Sequence, residues 1–177
     1  MRRATFAYRL LAGVLAAGIA GPAFAQACVQ PAERSAFEVR ALQSQLMVTA
    51  LTCSRDQDYN AFVTKFRREL GTAYSSIETH FRRTGGGNFA RARDGFITQL
   101  ANDHSQDGLR QGTAFCPNAV ALFQVALAQT DLNSLATLAS DRNILNPMVT
   151  PACPERPTPT RSPARPAANT RAAAQAR

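Results

Sequence analysis

Apolar residues recur at every third or fourth position through most of the chain, the spacing of helices that bury one face. The spacing predicts a first helix from about Ala32 to Cys53, with Ser35 and Glu38 placed as a capping box at its start. No stretch alternates convincingly with a period of two, and β-branched residues are sparse. The sequence therefore predicts an all-α fold. The inner face of the first helix is formed by Val39, Leu42, Leu46, Thr49 and Cys53.

A second helix is expected to follow, with Ser54 or Asp56 as its cap. It ends at Gly85-Gly86-Gly87, because three glycines lose too much backbone entropy to remain helical. Gly71 in its middle permits a bend. The aromatic residues on the inner face of this helix form a stripe. The whole face consists of Tyr59, Phe62, Val63, Phe66, Leu70, Tyr74, Ile77 and Phe81.

Three further helices are expected before the composition changes. Asn88 is placed to cap the third, and Ser105–Phe115, which contains two glycines, is expected to form a loop. Cys116-Pro117 opens the fourth, since proline suits the first helical position, and Asp131 caps a short fifth. The whole pattern predicts a bundle of four to five helices. The apolar faces of these helices are compatible with packing against one another within one chain or across a dimer.

The amino terminus has the layout of an export signal. Met1–Arg9 is basic, Leu10–Ala20 is an apolar run too short to span a bilayer, and small residues precede a cleavage point after Ala25. We therefore expect a signal peptide over residues 1–25, a helical domain over 26–153 and a periplasmic or secreted protein without a transmembrane segment. Lipidation of Cys28 is a competing interpretation of the same region. It is disfavoured because Ala25 occupies the position three residues before Cys28, where lipoprotein signals usually have leucine, and Gln26 lies between them.

The charge of the chain is concentrated at its ends. The formal net charge is +8, but residues 26–153 hold twelve basic and eleven acidic side chains. This near-neutral domain argues against nucleic acid as the partner. Residues 154–177 form a tail rich in proline, alanine and arginine, with too few large apolar residues to fold alone, and we expect it to be disordered. Its five arginines suit weak binding to an anionic polymer or a solubilising spacer.

The cysteines of an exported protein are expected to form disulfides. The domain has four, Cys28, Cys53, Cys116 and Cys153, with no C-x-x-C motif for redox chemistry. A helix of about 21 residues is roughly 32 Å long, so Cys28 and Cys53 lie at opposite ends of the bundle. Bridged Cα atoms lie within about 7 Å of each other. The helix lengths therefore predict the pairs Cys53–Cys116 and Cys28–Cys153.

Four arginines flank the glycine turn and form a candidate anion-binding site: Arg82, Arg83, Arg91 and Arg93. The free N–H groups at the start of the third helix would assist such a site. In the alternative interpretation, Arg82 and Arg83 only complement the carboxyl end of the second helix and the other two are solvated. The glycines do not form a phosphate-binding loop, because no Lys-Ser or Lys-Thr follows them.

Residues that would support catalysis or metal binding are few. The two histidines, His80 and His104, are placed toward opposite ends of the bundle, and Glu78 is two residues from His80 and so faces away from it. No G-x-S-x-G or H-E-x-x-H motif is present. We therefore expect no metal, no cofactor and no catalytic residues. Each histidine is expected to be partly buried with a hydrogen-bond partner.

The sequence thus favours an exported, non-enzymatic binding or interaction module that engages an envelope protein or an anionic envelope polymer. An alternative is a carrier that holds a small apolar ligand against the aromatic stripe of the second helix. A further alternative is an enzyme that recruits an anionic substrate with His80 and the arginines near it.

Overall fold

Seven α-helical segments make up most of residues 28–154, the part of the chain that the computed structural model describes. They are α1 (Pro31–Cys53), α2 (Asp56–Lys65), α3 (Arg67–Gly85), α4 (Phe89–Gln111), α5 (Phe115–Ala119), α6 (Ala121–Leu127) and α7 (Leu132–Asp141). Backbone hydrogen bonds continue through Phe66 from α2 into α3 and through Val120 from α5 into α6. The segments therefore form five helical bodies, and the predicted all-α bundle of four to five helices is confirmed.

Helix α1 occupies the centre of the bundle and packs mainly against α3, α4 and α7. Val39, Leu42, Leu46 and Thr49 are buried, as the spacing predicts. Burial extends well beyond that single stripe, however, because neighbouring helices cover several sides of α1. The buried positions of α1 also include Glu33, Ala36, Phe37, Ala41, Ser44, Gln45, Val48 and Ala50.

Helices α1 and α7 each begin with a capping box, but the box of α1 is not formed by the expected residues. The capping box of α1 is formed by Gln30 and Glu33, with Pro31 at the first helical position, and not by Ser35 and Glu38. Asp131 caps α7 as predicted, since its side chain accepts a hydrogen bond of 2.9 Å from the Ser134 amide. Proline fixes the entry into α1 one turn earlier than the serine would.

The caps expected for the second and third helices are also different. Ser54 has a left-handed backbone (φ 55°) and ends α1, and the residue before α2 is Arg55, which makes no side-chain capping bond. Asn88 precedes α4 as expected but likewise makes no side-chain capping bond. Both helices begin where packing and the preceding turn place them.

Two expectations about bends and loops were wrong. The second helix bends at Phe66, where the backbone turns to φ −103°, ψ 24°, and not at Gly71. Residues 105–111, expected to be in a loop, continue α4 by almost two turns. Gly108 lies within this helix. A Cβ atom there would lie 3.3 Å from the ring of Phe115, so the absence of a side chain lets the ring pack closely against the helix.

Glycine ends two helices through its backbone freedom. Helix α3 ends at Gly85, as predicted, and Gly86 follows with φ 54°. Gly112 follows α4 with φ 55°. Side chains with a Cβ atom rarely adopt this conformation, so glycine sets the position at which each helix stops.

Two disulfides brace the domain in the pairs that the helix lengths predict. Cys28 is bonded to Cys153, and Cys53 is bonded to Cys116. Beside the first bridge, Val29 pairs with Ala152 in a short parallel bridge, with hydrogen bonds of 2.9 Å to the backbone on either side. Closing loops of this size stabilises a fold by about 4–5 kcal/mol in the chain-entropy model. The first bridge thus joins the two ends of the described domain.

The two disulfides indicate an oxidising, extracytoplasmic location. Within residues 28–154, none of the helices combines the length and the apolar character needed to cross a membrane. The expected signal peptide (1–25) and all but the first residue of the expected tail (154–177) lie outside the described residues.

Two exposed glycines within helices offer a test of the helix assignments. An added Cβ atom meets nothing within 4 Å at Gly71 in α3 or at Gly95 in α4. We expect Gly71→Ala and Gly95→Ala each to raise the free energy of unfolding by about 0.5–1 kcal/mol, because alanine has less backbone entropy to lose. Denaturant unfolding measures this difference.

The matched control is Gly86→Ala, in which the same change falls on a backbone with φ 54°. We expect this variant to lose about 1 kcal/mol, because a Cβ atom strains a left-handed conformation. A Gly86→Ala protein as stable as Gly71→Ala would contradict the assigned helix end.

Candidate functional site

The first of the predicted anion-binding arginines, Arg82, lies on the surface where α3 and α4 meet. Its Nη2 atom donates to Glu78 Oε1 at 2.6 Å, one turn earlier on α3. Its guanidinium carbon also lies 4.2 Å from the ring centre of Phe89, at the start of α4. Arg82 therefore combines an ion pair within its own helix with a cation–π contact to the next.

Arg93 on α4 makes the reciprocal contact with α3. Its guanidinium group pairs with Asp94 at 2.9 Å and lies 5.5 Å from the ring centre of Tyr74. The carboxylate of Asp94, the first of several causes, raises the pKa of Arg93 above its ordinary value. The two antiparallel helices are thus joined by two arginine–aromatic contacts. We call Tyr74, Glu78, Arg82, Phe89 and Arg93 the α3–α4 seam.

The remaining two arginines behave differently. Arg91 is exposed near the start of α4. Arg83 faces the interior, where it donates to the Glu33 carboxylate at 2.6 Å and to the carbonyl oxygen of Cys28 at 2.7 Å. The structure therefore brings Arg82 and Arg93 to one seam and directs Arg83 into an internal cluster. Binding of an anion by these four side chains remains a prediction.

The internal cluster is centred on the carboxylate of Glu33, which is only 4% exposed. His80 Nδ1 lies 3.0 Å from Glu33 Oε2, and the backbone N–H of Gln30 donates to the same oxygen at 2.8 Å. Arg83 contacts both carboxylate oxygens, through Nη2 and, at 3.3 Å, through Nε. One buried charge therefore joins the start of α1, the end of α3 and, through Cys28, the first disulfide.

The electrostatics of this cluster favour an ionised carboxylate. Burial alone would raise the pKa of Glu33, but hydrogen bonds from the Gln30 amide, His80 and Arg83 outweigh it and hold the pKa below the ordinary value of 4.5. The ring of Phe37 packs edge-on against His80 at 5.1 Å between centres. This apolar contact covers the imidazole, and the arrangement holds together three elements of the bundle.

The sequence did not identify Glu33 as the partner of His80. The two residues are 47 positions apart, and the acidic residue near His80 in sequence, Glu78, pairs instead with Arg82. Two signals were present, however. Gln30, Pro31 and Glu33 have the spacing of a helix start, and the helix lengths place the end of α3 beside that start.

His104, the second histidine, is fully buried on α4 and far from the first in sequence. Its Nε2 atom lies 2.9 Å from the carbonyl oxygen of Leu145, whereas Nδ1 is buried with no hydrogen-bond partner within residues 28–154. Burial, the largest cause, lowers the pKa of His104 below its ordinary value of 6.5. Each histidine therefore has a hydrogen-bond partner, as expected, but both are fully buried and not partly buried.

The aromatic stripe of the second helix divides between the core and the surface. Phe62, Phe66 and Phe81 are buried in the main hydrophobic cluster, and Tyr59 packs partly buried against it. Tyr74 is 39% exposed and belongs to the α3–α4 seam. Most of the stripe thus holds the helices together.

Comparisons with known proteins give no family from which a function could be transferred. No family model matches the chain, and neither the curated proteins nor the solved structures compared with it contain a match. Within residues 28–154, no three or more histidine, cysteine, aspartate or glutamate side chains are grouped so that they could hold a metal ion. Function must therefore be inferred from the chain's own residues.

The role of the Glu33 cluster can be tested with Glu33→Gln. Removing one partner of a buried ion pair leaves the other charge uncompensated, so we expect the free energy of unfolding at pH 7 to fall by about 3 kcal/mol. Because the pKa of Glu33 is lower in the folded state, the wild-type advantage is complete above pH 4.5 and declines as the pH falls below it. Denaturant unfolding between pH 3 and pH 7 measures both effects.

Glu78→Gln is the matched control for this variant. It removes the exposed ion pair with Arg82, which is expected to contribute less than about 1 kcal/mol. If Glu33→Gln cost no more than Glu78→Gln at pH 7, the buried cluster would not stabilise the fold.

His104 makes a second, separate contribution to the pH dependence. Its pKa is lower in the folded than in the unfolded chain, so acidification below pH 6.5 protonates the unfolded chain first and reduces stability. We expect a loss of up to about 1.4 kcal/mol per pH unit in this range. In His104→Gln, which retains a donor for the Leu145 carbonyl, this part of the slope should disappear. Parallel stability curves for the two proteins between pH 5 and pH 8 would contradict the assignment.

Proposed function

We propose that the protein is an exported, non-enzymatic interaction module that binds another envelope protein through the α3–α4 seam. The observation that carries the proposal is the pair of arginine–aromatic contacts between the helices, Arg82 with Phe89 and Arg93 with Tyr74. The disulfides support a place outside the cytoplasm.

The chemistry of the seam suits the centre of a protein interface. Tyrosine, phenylalanine and arginine are enriched at interfaces, and tyrosine and arginine dominate the residues whose truncation weakens binding most. The Arg82 side chain is 59% exposed and Tyr74 is 39% exposed, so both are accessible. Each guanidinium group is already oriented by an aromatic ring and a carboxylate, which reduces the side-chain entropy lost on binding.

The charge balance of the seam favours a protein over an anionic polymer. Arg82 is paired with Glu78, and Arg93 with Asp94. A polymer of phosphate or carboxylate groups is recognised best by unneutralised cations. A mixed surface of paired charges and aromatic rings instead supports recognition by a folded partner with complementary polar groups.

The core positions of Phe62 and Phe66 support this proposal over the carrier of an apolar ligand, because both rings are packed among other core side chains. The engagement of His80 and Arg83 with Glu33 likewise supports a stabilising role for these two residues over recruitment of a substrate.

Site-specific photo-crosslinking in an exporting bacterium tests the proposal. A benzophenone amino acid replaces Tyr74 in the full chain, and the control carries it at Gln57, which is exposed on α2. We expect a discrete protein adduct from position 74 and none from position 57. Equal adducts at both positions, or an adduct that contains lipid or glycan but no protein, would overturn the proposal.

The arginine contacts are tested in the same assay with a double variant, Arg82→Ala and Arg93→Ala. We expect the yield of the adduct at position 74 to fall at least tenfold, because such residues contribute about 2 kcal/mol or more at the centre of an interface, roughly thirtyfold in affinity. The matched control, Arg55→Ala with Arg68→Ala, removes two arginines that pair with nearby carboxylates outside the seam. It should leave the yield unchanged.

A further inference from the structure

A cavity of about 440 Å³ lies where α1 and α4 meet α5, α6 and the segment that follows α7. This volume falls within the range of small-molecule sites. None of the residues of the α3–α4 seam lines it. We propose that this cavity binds a small monocarboxylate with an apolar body.

Among the polar side chains that line the cavity, that of Gln45 is the most buried. Gln45 is only 9% exposed, lies on the central helix α1 and lines the cavity. Its backbone carbonyl accepts from Thr49, but its side chain has no hydrogen-bond partner within residues 28–154. The N–H and C=O groups of this side chain therefore stay available to a molecule that enters the cavity. A ligand oxygen that accepts from the amide N–H would satisfy this donor.

Part of the wall around Gln45 is an apolar patch that is held in place by the fold. Leu122 and Val125 on α6 and Ile144 after α7 pack partly buried against the main core. Phe115, 2% exposed, is positioned by its close contact with Gly108. A hydrocarbon chain or an aromatic ring would complement this surface.

The charges of the cavity favour a carboxylate as the polar end of the ligand. Asp107 already accepts hydrogen bonds from Arg110 at 3.1 Å and Gln111 at 2.7 Å. Arg142 lines the cavity, is exposed, and pairs with no carboxylate in the described part of the chain. Because Arg142 and Gln45 line the same cavity, Arg142 can bind a carboxylate through two N–H groups while Gln45 donates to it.

Isothermal titration calorimetry of the disulfide-bonded full chain tests the proposal with benzoate and hexanoate as probes. Benzyl alcohol and hexanol are the neutral comparisons. We expect saturable binding of at least one carboxylate, at least about tenfold tighter than its alcohol, because a hydrogen bond to a charged group contributes about 1.5–3 kcal/mol. No saturable binding of either carboxylate, or equal binding of the alcohols, would overturn the proposal.

The two polar residues are tested separately. Arg142→Gln should weaken carboxylate binding about tenfold and leave the alcohols unchanged, whereas the control Arg68→Gln, outside the cavity, should change neither. Gln45→Glu should abolish carboxylate binding through charge repulsion. Because this buried change also endangers folding, the side-chain amide of Gln45 is followed by NMR in the wild-type protein. Absence of a shift in its signals at saturating carboxylate would contradict the assigned contact.

Discussion

Helix α1 is covered by other helices along most of its length, so a carboxylate that it buries needs partners inside the protein. Glu33 has them in Arg83, His80 and the Gln30 amide. Arg40 donates to Gln43 within the same helix, and burial lowers the pKa of its guanidinium group. The contacts of Glu33 with His80 and Arg83 fix the start of α1 against the end of α3, because a buried charge without partners would destabilise the fold.

Some of the local helix signals and both disulfide pairs were predictable from sequence, since they follow from spacing and length. Asp131 and the Gly85–Gly87 turn act through adjacent atoms, and the length of α1 alone separates Cys28 from Cys53. The extension of α4 past Gly108 was not predictable, because it depends on a contact made in the folded protein. The ring of Phe115 packs against the helix where a side chain at position 108 would otherwise crowd it. The partnership of Glu33 with His80 is equally non-local. Residues buried on several sides of α1, such as Ser44 and Gln45, do not produce a one-sided pattern at all.

The central helix also relates the internal cluster to the proposed cavity. Glu33 and Gln45 lie twelve residues apart on α1, about 18 Å along its axis. The first side chain has its hydrogen bonds completed by the fold, whereas the second makes none with the described part of the chain, residues 28–154. One helix therefore presents a polar group for stability near its start and another toward a cavity farther along. The α3–α4 seam is built from different helices, so the two proposed binding surfaces can change independently.

The bond between Cys28 and Cys153 brings the two ends of the described domain to a Cα separation of 4.8 Å. The chain therefore enters and leaves the helical bundle at the same point. If the flanking segments were pulled in opposite directions, the tension would pass through this covalent link and not through the helices. The bundle would keep its shape under a mechanical load applied at its ends, and both proposed surfaces would remain intact.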